Sequence, residues 1–287
     1  MRQREPAICL GVTDYSETSQ VVHFLTRGAG IARLLGKGTK RAKSKSGGAI
    51  DLLSEGELVF IPGRGESLGT LVEFSESVAH NALRKASAAL EAALFMIEAA
   101  GRLLGPGDPH PEVFDLLHNS LARLAQADAP RPAVLAYFLW RLLRHAGLLG
   151  ELRECVSCGE AVGTGPAGAQ TGHAHPTDPA QRPPGGPRGP VRLVRHASER
   201  DATAEVVHFS SALGGFLCAA CEGAAVEKYR LDGAAMAAIA ALAAAEAGRR
   251  VVLPPRQAQA VIRLLAYHIG NQTGRPLRMA RRYQANA

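Results

Sequence analysis

Hydrophobic and polar residues alternate over short stretches in the first eighty residues, a pattern typical of β-strands. Five such runs occur, separated by Gly, Ser, Thr and acidic residues: AICLGV, SQVVHFLT, GIARLLGKG, GELVFIPG and GTLVEFSES. Five short strands at this spacing favour a small closed barrel, because closure removes the unpaired edges of a sheet. We therefore predict a five-stranded OB-fold barrel over residues 1–80, with an SH3-like barrel as the nearest alternative.

From residue 81 the apolar residues recur at helical spacing in an Ala-rich background. Helices are predicted over 81–105, 111–126, 131–150, 232–250 and 255–274, and Pro111 and Pro132 stand at the starts of two of them. The predicted fold class is α+β, in which the barrel precedes an all-α domain over residues 81–287.

Two pairs of cysteines with Cys-x-x-Cys spacing interrupt this helical region: Cys155, Cys158, Cys218 and Cys221. Zinc prefers tetrahedral thiolate coordination, and each pair sets two sulfurs on one tight turn. The 59 residues between the inner cysteines add only roughly 1 kcal/mol of loop-closure cost relative to a compact ribbon. We predict a four-cysteine zinc finger inserted at 151–225, including a flexible Gly/Pro-rich segment at 161–190.

Four thiolates leave no open coordination position, so the predicted zinc is structural and not catalytic. Two alternatives remain open. One of three histidines replaces a cysteine (His173, His175 or His208), or the thiols are redox-active. The fifth cysteine, Cys9, lies in an apolar strand-like run, which predicts a buried and unreactive thiol.

Positive charge is concentrated in two runs that contain no acidic residue. Residues 27–45 hold seven Lys or Arg, and residues 249–287 hold eight Arg. The whole chain carries +7, so outside these runs it has 18 basic and 26 acidic residues, a net charge of −8. Such clustering favours a polyanionic partner over general solubility charge.

The first basic run extends from a predicted strand into the loop TKRAKSKSGG that follows it. Lys and Arg neutralise phosphates and release counterions, while hydroxyls and Gly amides donate to phosphate oxygens. We predict that seven residues bind the DNA backbone: Arg27, Arg33, Lys37, Lys40, Arg41, Lys43 and Lys45. Aromatic side chains for base stacking are scarce; the candidates are Tyr15, Phe24, Phe60 and Phe74.

Motifs for catalysis or membrane insertion do not stand out. The run LLGKGTKR lacks the Walker A order, GRGESLG misses Gly-x-Gly-x-x-Gly by one residue, and His-Glu-x-x-His and Gly-x-Ser-x-Gly are absent. The N-terminal residues contain no apolar run of signal-peptide length, and no later segment has eighteen uncharged apolar residues. We expect a cytoplasmic protein that is not an enzyme and has no membrane segment.

Five segments carry a resemblance to a known family. They are DYSETSQVVHFLTRGAGIARLLGKGTKRAKS, DLLSEGELVF, LRECVSCG, FSSALGGFLCAAC and LAYHIGNQTGRPLRM. In this order they resemble the RecO family of bacterial recombination mediator and repair proteins, over nearly the whole chain apart from the Gly/Pro-rich segment. The resemblance implies an OB-fold followed by a helical domain with a zinc finger. It assigns the family's basic barrel surface to Lys37, Lys40 and Arg41 and its zinc ligands to the four cysteines.

The resemblance also implies a function. Such a protein binds single- and double-stranded DNA, anneals complementary strands, and works with RecR and single-strand-binding protein to load the RecA recombinase, at a nucleoid-associated location. The second basic run either extends the DNA track or receives the acidic tail of single-strand-binding protein; its residues include Arg263, Arg275, Arg278, Arg281 and Arg282. Other functions stay open: an RNA-binding OB-fold protein with a structural zinc ribbon, or a zinc hydrolase or deaminase.

Overall fold

The chain begins with a closed five-stranded barrel. The computed structural model describes residues 1–41, 44, 48–65, 67–150, 152, 154–162, 207–246 and 252–284. Its first strands are β1 (Gln3–Asp14), β2 (Gln20–Thr26), β3 (Gly30–Gly36), β4 (Glu55–Ile61) and β5 (Gly69–Val78). They close in the order β1-β2-β3-β5-β4, with β1 antiparallel to both β2 and β4 and β3 parallel to β5. This strand order is that of an OB-fold, so the predicted barrel is confirmed.

The strands bury alternate side chains in the barrel. Ala7 and Cys9 of β1 belong to the barrel core, and the rings of Phe24 and Phe74 lie 5.0 Å apart within it. The thiol of Cys9 is buried as predicted, and burial raises its pKa to about 12. These inward residues explain the period-two pattern of the sequence.

Helices dominate the rest of the described chain. They are α1 (Asn81–Arg84), α2 (Ser87–Leu103), α3 (Pro111–Leu124), α4 (Arg131–His145), α5 (Gly233–Glu246), α6 (Pro255–Gln272) and α7 (Arg281–Gln284). Proline stands in the first turn of α3 and of α4, as predicted. The prediction of one continuous helix over 81–105 is wrong, because Ala86 is extended (φ −127°) and separates α1 from α2.

The barrel and the helices share one hydrophobic cluster. Ile8, Leu25 and Ile31, on the outer face of the barrel, pack into the same core as Phe95 of α2 and Leu117 of α3. Each such side chain contributes about 1.5–3 kcal/mol when fully buried. The predicted domain boundary at residue 80 stays a prediction, since this core is continuous across it.

A buried carboxylate also joins the two parts. Glu55, at the start of β4, accepts a hydrogen bond from His118 Nδ1 at 2.6 Å and lies 3.3 Å from His80 Nε2. Burial alone would raise the pKa of Glu55, but hydrogen bonds and charge from the two histidines outweigh it and lower this pKa. The carboxylate therefore favours its ionised form at this junction.

Between α4 and α5 the chain forms a small three-stranded sheet, in the order β7-β6-β8. Its strands are β6 (Val207–Ser210), β7 (Gly215–Leu217) and β8 (Tyr229–Leu231). The buried His268 of α6 donates from Nε2 to the Leu148 carbonyl at 2.8 Å and accepts from the Ser211 hydroxyl at 2.7 Å, which ties the sheet to the helices.

Most of the Gly/Pro-rich segment predicted at 161–190 lies outside the described residues, from residue 163 onward. The bounds predicted for the finger, 151–225, stay a prediction. Among the helices of the described ranges, none has both the length and the apolar character needed to cross a membrane.

Candidate metal centre and nucleic-acid interface

The four predicted zinc ligands lie together. The sulfur atoms of Cys155, Cys158, Cys218 and Cys221 are all within 4.8 Å of one another. Cys158 Sγ and Cys218 Sγ are 3.7 Å apart. Four sulfurs held about 2.3 Å from a tetrahedral zinc are about 3.8 Å from each other. The donor set and its spacing therefore fit a metal ion with tetrahedral thiolate coordination.

Backbone hydrogen bonds shape the two cysteine turns. In the first, Gly159 adopts φ +76° and its N–H donates to the Cys155 carbonyl at 2.8 Å. In the second, the N–H groups of Cys221 and Glu222 both donate to the Cys218 carbonyl at 3.0 Å. The Val156 N–H donates to the Phe216 carbonyl at 2.8 Å, so the first turn rests on β7, the strand that leads into the second pair.

The surroundings of the thiols affect their acidity. Burial of Cys155 opposes ionisation, but three backbone N–H groups, the first that of Cys218, stabilise its thiolate and lower its pKa to about 6. Hydrogen bonds with Cys158 and then Cys218 raise the pKa of Cys221 to about 12. At neutral pH a divalent cation would replace the proton that Cys221 still holds, as metal binding to cysteine requires.

Histidine does not replace a cysteine in the described part of this centre. His208 of β6 lies beside the cluster, but its Nδ1 contacts the Glu222 carboxylate and is not part of the ligand group. His173 and His175, the other candidates, lie outside the described residues.

The predicted DNA-binding residues fall into three groups. Arg33 on β3, and Lys37 and Arg41 just beyond that strand, are exposed and form no ion pair with the described residues. We call these three side chains the basic edge. Arg27 and Lys40 are engaged in ion pairs with carboxylates. Lys43 and Lys45 lie outside the described residues.

Arg27 connects the barrel to the helices. Its guanidinium donates to both carboxylate oxygens of Asp115 on α3, at 3.0 and 2.9 Å. This hydrogen bond raises the pKa of Arg27 and lowers that of Asp115. The planar geometry of both groups suits such a bidentate contact, so Arg27 is less available to phosphate than the basic edge.

Lys40 is likewise occupied. Its Nζ lies 2.6 Å from Asp14 Oδ1, and its side chain is 24% exposed while that of Asp14 is 70% exposed. The neighbouring hydroxyl of Thr39, which the sequence offered as a phosphate donor, is buried and donates to Gln20 Oε1 at 3.0 Å.

Carboxylates cover a different part of the barrel. Glu57 of β4 and Glu73 and Glu76 of β5 are exposed. Arg4, the basic residue beside them, pairs with Glu57. These carboxylates lie on β4 and β5, whereas the basic edge lies on β3 and just beyond it, and β5 separates β3 from β4 in the strand order.

Sequence reasoning missed two residues near the basic edge. Half-buried His23 stands opposite Arg33 in the β2–β3 ladder, and burial followed by the charge of Arg33 lowers its pKa. Asp14 was not considered as a partner of Lys40. The alternation of residues along β2 and β3 could have indicated that His23 stands near Arg33, whereas the contact of Asp14 with Lys40 depends on how the end of β1 meets the segment after β3.

The C-terminal arginines are distributed over several elements. Arg282 of α7 pairs with Glu91, and the Arg278 backbone N–H donates to Glu98 at 2.8 Å. The side chains of Arg275, Arg278 and Arg281 are exposed. The structure therefore divides this run between packing against α2 and display to solvent.

Known proteins resemble the chain over most of its length. Residues 1–77 match the family model for the recombination protein O N terminal, and residues 84–196 match that for the recombination protein O C terminal. The DNA repair protein RecO of Anaeromyxobacter dehalogenans (strain 2CP-C) is 33% identical over 165 residues, which cover 58% of this chain and 65% of that relative. That of Myxococcus xanthus (strain DK1622) is 26% identical over 278 residues, covering 96% of this chain and 95% of the relative.

Proposed function

The chain belongs to the recombination protein O (RecO) family of DNA repair proteins, and on this premise we propose that it is a nonenzymatic DNA-binding mediator of recombinational repair. It binds single- and double-stranded DNA and anneals complementary strands. With RecR, it helps to load RecA onto DNA coated with single-strand-binding protein. The observation that carries this proposal is the basic edge of Arg33, Lys37 and Arg41, exposed without ion pairs among the described residues.

Annealing by this surface requires charge and no catalytic group. Two single strands repel each other through their phosphates, and cations that neutralise phosphates lower that repulsion and release counterions. Phosphate contacts do not read sequence, so the bases stay available for pairing. The exposed carboxylates of β4 and β5 disfavour DNA on that part of the barrel.

The metal in this proposal is a structural zinc. The four cysteines would hold it and leave no position for water or substrate. Bound zinc contributes folding energy by fixing two distant chain segments, those of Cys155 and Cys218, to each other. Its role is to hold the small sheet and both cysteine turns in place beside α6.

The direct test is annealing of complementary oligonucleotides coated with single-strand-binding protein, with and without ATP. We expect the protein to accelerate pairing equally under both conditions. A variant with Ala at Arg33, Lys37 and Arg41 is expected to anneal more slowly. The control of equal charge carries Ala at three cations outside the barrel: Lys85, Arg230 and Arg123, which pairs with Asp128.

Several outcomes would overturn the proposal. They are the absence of annealing, a strict requirement for ATP, or equal loss in the basic-edge and control variants. Tighter binding to RNA than to DNA of the same sequence would favour the RNA-binding alternative instead.

A further inference from the structure

One aromatic ring of the barrel is exposed. Phe24, Phe60 and Phe74, considered above for base stacking, are at most 3% exposed and belong to the barrel core. Tyr15 is 65% exposed and makes no ring contact among the described residues. It begins the turn between β1 and β2, where its N–H donates to the Ser19 carbonyl at 3.0 Å.

Hydrogen bonds and an ion pair connect this turn to the segment that follows β3. The Lys40 N–H donates to the Thr18 carbonyl at 3.1 Å, and the Lys40 ammonium pairs with Asp14 at 2.6 Å. The Gly38 N–H donates to Ser19 Oγ at 3.4 Å. Lys40 thus contacts Asp14, which precedes the turn, and Thr18, which lies within it. We call the Asp14–Lys40 ion pair the clasp.

Two cations that form no ion pair with the described residues flank this hydrogen-bonded segment. Lys37 directly precedes Gly38 and Arg41 directly follows Lys40, and both side chains are exposed. The Arg41 N–H donates to the Gly38 carbonyl at 3.1 Å, and its side chain runs alongside Gly38. An exposed ring near exposed cations is the combination with which proteins hold single strands, because bases stack on the ring while the cations neutralise phosphates.

We propose that Tyr15 is a base-stacking residue for single-stranded DNA, and that the clasp is a positioning device that holds Tyr15 beside Lys37 and Arg41. The inference rests on the proposed function and deepens it. It makes Lys40 a residue that acts through the turn and not chiefly through phosphate. Because bases in a duplex are already stacked on each other, the ring favours single strands over duplex.

The first test compares Tyr15→Ala and Tyr15→Phe by fluorescence anisotropy, on one oligonucleotide and on its duplex at the same salt concentration. We expect Tyr15→Ala to weaken single-strand binding about tenfold and duplex binding less than about twofold. Tyr15→Phe, which keeps the ring, is expected to bind like the unchanged protein. The control is Val78→Ala, which removes an apolar side chain that is 38% exposed at the end of β5.

An oligonucleotide with abasic sites supplies a second arm, on which the unchanged protein and Tyr15→Ala are expected to bind equally. Equal weakening on single strands and duplex would overturn the stacking role. Full affinity of Tyr15→Ala for single strands would overturn it as well.

The clasp is tested with Asp14→Asn. If Lys40 acted only on phosphate, removal of the neighbouring carboxylate would strengthen binding to both forms of DNA. The clasp predicts instead weaker single-strand binding, unchanged or stronger duplex binding, and little further loss when Tyr15→Ala is added. Exchange of the two charges, Asp14→Lys with Lys40→Asp, is expected to restore the preference for single strands.

These tests separate the inference from the function beneath it. If the unchanged protein binds neither DNA form in dilute buffer, the proposed function fails. If it binds both and Tyr15 and Asp14 variants do not alter the ratio of the two affinities, only the stacking site fails.

Discussion

Removal of the basic edge is expected to change how DNA binding depends on salt. Arg33, Lys37 and Arg41 are exposed and without ion pairs among the described residues, so each can contact one phosphate. One phosphate contact contributes about 0.7 to the log–log slope of affinity against salt for single strands. The triple Ala variant should therefore have a slope shallower by about 2.

This difference is large enough to measure. Over a rise in salt from about 50 to 200 mM, a slope of about 2 corresponds to a roughly 15-fold change in affinity. The unchanged protein should lose that much more affinity than the triple variant over the same range. The assay is anisotropy of a labelled single strand at four or five salt concentrations.

The control variant, with Ala at Lys85, Arg123 and Arg230, removes the same total charge from outside the barrel. Its slope should match that of the unchanged protein. An unchanged slope in the basic-edge variant would show that these side chains do not contact phosphates. An equal decrease in both variants would indicate a general effect of net charge.

Three further predictions concern stability and thiol chemistry. Cys155→Ser should reduce bound zinc, measured by elemental analysis, and lower the melting temperature, because three thiolates hold the ion less firmly than four; full zinc content would contradict the site. The histidine partners of Glu55 lower its pKa from the ordinary value of 4.5. The ionised carboxylate therefore stabilises the folded protein at pH values above 4.5, and this stabilisation is lost as the pH falls through the lower pKa of the folded state. Glu55→Gln should therefore flatten the acid side of the stability profile in denaturant titrations, and an unaltered profile would exclude this role. With zinc bound, Cys9 should resist alkylation at pH 8 because burial raises its pKa to about 12; rapid labelling of Cys9 in folded protein, detected by mass spectrometry, would show that it is accessible.

Local patterns predicted the elements of the fold well. Alternation located all five barrel strands because every strand has one face in the barrel core. The spacing of the cysteines predicted their convergence, since each pair sets two sulfurs on its own turn and one tetrahedral metal ion would take all four. The break at Ala86 was missed because the Ala-rich sequence on both sides of it is compatible with helix.

Contacts between distant segments were beyond the sequence. Arg27 meets Asp115 across 88 positions of the chain, and Lys40 meets Asp14 although β2 and β3 lie between them in the sequence. In the sequence Arg27 and Lys40 looked unpaired, because a run of basic residues does not show which carboxylates the fold brings near it. The same limit applied to the aromatic candidates, of which only Tyr15 faces solvent.

The place where DNA binds the barrel can be located by amide hydrogen exchange with and without a saturating single-stranded oligonucleotide. We expect slower exchange in the turn of residues 15–19 and in residues 36–41, with no change on the β4–β5 surface around Glu57 and Glu73. Slower exchange confined to that acidic surface, or no change anywhere at saturation, would contradict this expectation.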